Sequence, residues 1–235
     1  MNIISNLLGQ VLKFILDFGI GYGWSIIVFT IIVKLVLLPL TIKQTKSMKA
    51  MQEIQPKIKE IQEKYKGKPE KQNQEIMKVY QEAKINPMSG CLPLLIQFPI
   101  LIGLYQVLRN PVTYKVFDSV DKFKLADKPF LGLPSLSTNF AAHGIMNIPI
   151  SIWILAILAG LTTFLTQKLT MPQDQQQPSM QYMTYFMSLM MLWWGVSLPA
   201  GVAVYWIVSN LFQIAQYRLI MNPLRNKLDN DSGRL

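Results

Sequence analysis

Apolar positions in this chain come in long blocks. Four stretches are almost wholly apolar: Tyr22 to Leu40, Cys91 to Leu108, Pro149 to Leu169, and Met180 to Ile220. A bilayer-crossing helix needs about 20 such residues, so the last block is too long for one crossing. Leu198-Pro199-Ala200-Gly201 interrupts it and ends one helix before the next begins. The pattern predicts an all-α polytopic membrane protein with five transmembrane helices, over 20–42, 87–109, 149–170, 180–198 and 200–220.

Residues 1–19 carry a different period. Ile4, Leu7, Leu8, Val11, Ile15 and Phe18 recur at three- and four-residue steps, with Asn6, Gln10, Lys13 and Asp17 opposite them. This predicts an N-terminal amphipathic helix lying on the membrane interface. A cleaved signal peptide is the rival reading, but a positive n-region, a small-residue cleavage site and a lipobox cysteine are all missing.

Residues 43–86 read as a helical hairpin. Met48, Met51, Ile54, Ile58, Ile61 and Tyr65 lie three or four apart, Lys66-Gly67-Lys68-Pro69 breaks the pattern, and Ile76, Val79, Tyr80 and Ala83 resume it. Pro56 implies a kink or a late helix start in the first arm. Two readings stand: a charged coil drawn to anionic headgroups, or a docking arm for a partner or substrate with Met48, Met51, Ile58, Ile61 and Tyr65 as its apolar contacts.

Composition supports the membrane assignment. Hydrophobic residues make up 51% and charged residues 15%, against about 25% charged in a soluble domain. The net charge of +10 is unevenly spread, with 11 Lys and six Glu between Lys43 and Lys84. Since Lys and Arg favour cytosolic loops, the hairpin and the tail 221–235 are expected inside. The N-terminus and the loop 110–148, whose four Lys are offset by three Asp, are expected outside. Residues 171–179 then form a short cytosolic loop. Trp24, Trp153, Trp193 and Trp194 fall at the ends this topology makes outer, where tryptophan favours the interface. One Cys and one His exclude disulfide frameworks, HExxH sites and multi-histidine metal centres.

The spans contain no Asp or Glu and one ionisable group well inside, Lys34. It lies six residues before Leu40, about 9 Å from the inner end. Its ammonium either snorkels to the cytosolic surface or faces a hydrated cavity. Trp206, Ser209/Asn210, Gln213 and Gln216 form a polar stripe on the fifth span, while Thr163, Thr166, Gln167 and Thr170 do so on the third. Thr30 lies one turn above Lys34, and Gln97 is mid-span on the second. Interhelical hydrogen bonding accounts for any one of them, at about 0.6 kcal/mol each. An amide or a cation on four of the five helices, concentrated in their middle and cytosolic parts, points instead to a water-filled groove open to the cytosol and closed outside by apolar and aromatic residues. Met180, Met183, Met187 and Met190 on the fourth span read as core packing.

Several runs resemble the YidC-type membrane protein insertases of the YidC/Oxa/Alb family. They are Ile27–Pro39, Lys46-Ser47-Met48, Met51 to Ile58, Asn86-Pro87-Met88-Ser89-Gly90-Cys91-Leu92-Pro93-Leu94-Leu95-Ile96-Gln97-Phe98-Pro99-Ile100, and Tyr205-Trp206-Ile207-Val208-Ser209-Asn210-Leu211. The resemblance runs in order from Tyr22 to Met221 and implies a five-helix core with a cytosolic hairpin, in the short form without a large extracytoplasmic domain. It implies a substrate groove in which Lys34 takes the place of the family's usual Arg, with Thr30 and Trp206 in or beside it. Gln97, Gln167, Asn210 and Gln213 fall on polar motif positions. The implied function is insertion and folding of newly made membrane proteins from the bacterial plasma membrane, without nucleotide, metal, cofactor or catalytic residue. Implied partners are nascent membrane proteins and the lipid bilayer, with the Sec translocon, signal-recognition machinery or ribosome as further candidates and no direct nucleic-acid contact.

Three other classes are weighed against this one. A transporter normally couples through an intramembrane acid or histidine, and the spans have neither. An intramembrane Ser-His protease needs a histidine beside its serine, whereas His143 lies in the outer loop. A receptor or assembly factor rests on the basic hairpin and tail alone.

Overall fold

The computed structural model describes residues 2–86, 92–138, 147–170 and 178–232. The described residues are helical apart from turns and one isolated bridge between Phe130 and Leu133. The helices are α1 (Asn2–Asp17), α2 (Tyr22–Glu53), α3 (Gln55–Lys64), α4 (Pro69–Glu82), α5 (Leu92–Arg109), α6 (Val120–Ala126), α7 (Ile150–Thr170), α8 (Pro178–Ser197) and α9 (Ala200–Ser232). His143, Cys91, the 171–177 part of the expected short loop and the last three residues of the tail lie outside the described residues, as do the side chains of Met180 and Met183.

Among the described residues, two segments are long and apolar enough to cross a membrane, Tyr22–Met48 and Ile150–Leu169, and a shorter apolar helix covers Leu95–Arg109. Helix α2 continues unbroken through Pro39 to Glu53. Its 32 residues span about 48 Å at 1.5 Å each, more than a hydrocarbon core about 30 Å thick. Ile31, Ile32, Leu35 and Val36 are exposed along one side of it, while Ile26, Phe29, Thr30 and Lys34 are buried on the other.

Helix α9 is the hub, touching α2, α5, α7 and α8. Its first turns supply Ala200, Val202, Ala203, Val204 and Tyr205 to a core shared with Ile26 and Phe29 of α2, Leu101, Leu104 and Leu108 of α5, and Ile152 and Ala156 of α7. Helices α7 and α8 meet at Gly195, where a Cβ would lie 2.7 Å from the Ala156 Cα. Such close backbone approach is how helices gain contact in lipid, where no hydrophobic difference drives them together.

The apolar side of helix α1 divides in two. Ser5, Leu8, Leu12 and Ile15 are buried, and the Ser5 Oγ donates to Gln106 Oε1 of α5 at 2.7 Å. Ile3, Leu7, Phe14 and Phe18 are exposed on a second apolar face. One face therefore docks on the bundle and the other is left open. Apolar periodicity alone cannot separate them, because both satisfy the helical repeat.

At the Tyr22 end, the segment 110–138 folds over α1 and α2. The Tyr22 ring meets Phe117 and Phe123 edge-on at 5.6 and 6.0 Å, and Trp24 meets Phe130 at 5.5 Å. Val116, Leu133 and Leu136 are buried beneath, and the Leu136 carbonyl accepts from Gly201 N at 2.8 Å. Asp127 ties this cap together: its carboxylate accepts from Ser135 Oγ and Ser137 Oγ at 2.6 Å each and from Leu136 N at 2.9 Å. Nearby, the hydrogen bond and charge of Lys122, then those of Lys13, hold the exposed Asp118 carboxyl below its usual range. Asp127→Ala, which removes three charge-assisted bonds, is expected to cost about 2–4 kcal/mol and to expose the cap to protease. Chemical unfolding in detergent and limited proteolysis check it.

In the hairpin, the break between α2 and α3 falls at Ile54, with Pro56 in the first turn of α3. Gly67, at φ 85°, makes the turn into α4, a backbone region glycine enters without steric cost. Met51 and Ile58 are buried, while Met48, Ile61 and Tyr65 are half-buried. Two of the five expected docking contacts are thus covered, and Met77 of α4 is the large apolar side chain left exposed there.

Candidate functional site

Two polar clusters flank α9, and adjacent residues of one motif build them. Tyr205 projects toward α2 and α5. The Lys34 Nζ donates to Gln97 Oε1 at 3.3 Å, and Gln97 Nε2 donates to the Tyr205 hydroxyl oxygen at 2.7 Å. Lys34 is 7% exposed and Tyr205 0%. An ammonium has three donors, and Gln97 takes one of them. Among the described residues no carboxylate lies within ion-pair distance of Lys34. Thr30, one turn above, is turned inward on its own helix, its hydroxyl donating to the Ile26 carbonyl at 2.7 Å.

Trp206 projects toward α7 instead. Its Nε1 donates to Thr163 Oγ1 at 2.8 Å, and the Asn210 amide lies 3.1 Å from the hydroxyls of both Thr162 and Thr163. Turned over, that amide also accepts from the Trp206 indole. The expected polar stripe is therefore divided. At about 100° per residue, Trp206 and Asn210 lie at one edge and reach α7, while Gln216 lies at the other and pairs with Thr41 of α2 at 2.9 Å. Gln213 is half-buried between them. Trp206→Phe and Thr163→Val, combined in a double-mutant cycle of unfolding in detergent, should show a coupling of about 0.6 kcal/mol, the usual weight of such a bond between membrane helices.

Some buried amide atoms in the half of the bundle away from the aromatic cap lack any protein partner. Gln44 Nε2 and Gln167 Oε1 are fully covered without a hydrogen bond. Buried polar atoms seldom stay unpaired, and water or a ligand normally meets them. Separately, Leu101, Ala159, Met191, Trp194, Val202 and Trp206 line an apolar cleft with almost no polar surface.

Tyr205 and Thr162 belong to the site although polarity patterns do not single them out. A tyrosine inside an apolar span was the available signal, because its hydroxyl needs a partner once buried. Thr162 was hidden by its neighbour Thr163, which shares the same contact.

The family model described as 60Kd inner membrane protein matches residues 14–227. The chain belongs to the YidC-type membrane protein insertase family. It is 43% identical over 220 residues to membrane protein insertase YidC 1 of Listeria monocytogenes serotype 4b, covering 92% of this chain and 69% of that protein. It is 41% identical to membrane protein insertase YidC of Caldanaerobacter subterraneus subsp. tengcongensis, covering 96% of this chain and 97% of the relative. Membrane protein insertase MisCA of Bacillus subtilis is 38% identical over 211 residues. Among solved structures, a crystal structure of an active YidC insertase with its first transmembrane domain resolved matches with a TM-score of 0.64 and 32% identity. That match covers 91% of this chain and 45% of the other. Both polar clusters and the aromatic cap lie within the stretch that this insertase family shares.

Proposed function

We propose that this insertase-family protein inserts newly synthesised membrane proteins into a bacterial plasma membrane and helps them fold, without nucleotide hydrolysis. In this reading α2, α5, α7, α8 and α9 are the five membrane crossings, α1 lies at the outer interface, and α3 and α4 form a cytosolic hairpin. The N-terminus is extracytoplasmic and the C-terminus cytoplasmic.

The observation that carries the reading is Lys34, a buried cation that among the described residues has two unfilled donors and no acid to neutralise it. A charge held at membrane depth costs about 2.5–3.5 kcal/mol on insertion scales, which argues that it serves function more than stability. Water meeting Lys34, Gln44 and Gln167 makes a groove open to the cytosol and to lipid, and the aromatic cap closes its outer end. Such a groove thins the apolar slab that a substrate's polar flank has to cross. Lys34 attracts acidic residues in that flank, and the substrate's hydrophobic segment then moves into lipid. The drive is burial of that segment, about 25 cal/mol per Å², together with the membrane potential, about 2.3 kcal/mol per charge per 100 mV.

Photocrosslinkers placed in α7 and α9 should capture a stalled membrane-protein nascent chain in vesicles. Cysteines replacing Gln97 and Gln213 should react with water-soluble thiol reagents. If both cysteines are inert and no nascent chain is captured, the groove is absent.

A further inference from the structure

Lys34 can only donate hydrogen bonds, so the atom of Gln97 facing it at 3.3 Å has to be the carbonyl oxygen. The amide nitrogen of Gln97 is thereby turned to the Tyr205 hydroxyl oxygen, 2.7 Å away. Polarity thus runs one way through three helices, from the acceptor on α9 through the amide on α5 to the cation on α2. Tyr205 is fully buried, so water does not readily replace its oxygen. Without that oxygen the Gln97 N–H groups lose their partner, and the amide gains by rotating to find another, which takes its carbonyl away from Lys34.

We propose that Tyr205 is a positioning residue for Lys34, its phenol oxygen locking the Gln97 amide with the carbonyl toward the ammonium. The ammonium is then held on the α5 side at one depth while two donors stay free for an incoming carboxylate. This refines the insertase reading and rests on it for its meaning in insertion, though the lock itself is a property of the resting protein.

The test uses the full chain reconstituted in vesicles, with Tyr205→Phe, which removes one oxygen and keeps the ring. Labelling of lysines by a small amine-reactive acylating reagent, read by mass spectrometry, should rise about 3- to 10-fold at Lys34, the weight of one hydrogen bond, and stay unchanged at the exposed Lys43. Insertion is followed for two substrates that differ only in an Asp-Asp or Asn-Asn flank. The variant should lose a similar factor for the Asp flank and nothing for the Asn flank, and it should add no further loss in a Lys34→Gln background. Unchanged Lys34 labelling overturns the proposal, as does an equal loss for both substrates with a lowered thermal midpoint. If the parent protein itself ignores the flank, the electrostatic insertion reading fails, and the labelling result alone decides whether Tyr205 positions Lys34.

Discussion

Lys34→Glu should reduce insertion of a substrate with an acidic flank at least tenfold, while Lys34→Arg should stay within about twofold of the parent. Two unit charges 4 Å apart interact by about 4 kcal/mol at an effective dielectric near 20. An acid passing at twice that distance feels half as much, and reversing the sign counts twice. Even about 1.4 kcal/mol surviving water's screening is a tenfold change in rate. A carboxylate at this position also presents only acceptors to the Gln97 oxygen that now faces Lys34, so the local hydrogen bonding is inverted with the charge. Arginine keeps the charge and adds a planar fork of donors. Lys34→Gln should be tolerated by substrates without acidic flanks. Insertion into vesicles by purified protein, with the flank varied, is the measurement. Full activity of Lys34→Glu on the acidic substrate would falsify the electrostatic role.

The second large effect concerns packing. Gly195→Leu should leave little folded protein in detergent, with Gly195→Ala intermediate and Gly21→Ala unchanged. At Gly195 a Cβ meets the Ala156 Cα at 2.7 Å and its Cβ at 2.9 Å, and backbone cannot swing aside as a side-chain tip can. At Gly21 nothing lies within 4 Å. Overpacking typically costs about 1–3 kcal/mol, and here α7 and α8 have to separate along their contact. Recovery of monodisperse protein and the thermal midpoint report it. Equal stability of the Gly195→Leu and Gly21→Ala forms is the outcome that refutes close α7–α8 packing.

The sequence made some of this legible and hid the rest, for identifiable reasons. Lys34 stands out because an unpaired charge in an apolar block is costly, and its cost can be read without knowing any neighbour. The residues that meet it cannot be found that way. Gln97 was visible as an isolated amide, whereas Tyr205 looked like one more aromatic in a buried helix until its hydroxyl was placed against that amide. The stripe from Trp206 to Gln216 was real as a pattern, yet it covers about a third of the helix circumference, wide enough to serve two neighbours. The same limit applies to α1. Its apolar residues outnumber those one face needs, and only packing decides that Leu8 and Leu12 turn inward while Leu7 and Phe14 do not. In the hairpin, Met51 and Ile58 follow the helical repeat as expected and are spent on internal burial.

Tyr205 and Trp206 are consecutive, so their side chains leave α9 about 100° apart and fasten it to different neighbours. The helix is thereby keyed like a shaft in its bearing. Any wedge that twists α9 enough to unseat the indole from Thr163 also drags the phenol off Gln97, and the two grips are released or restored as a pair.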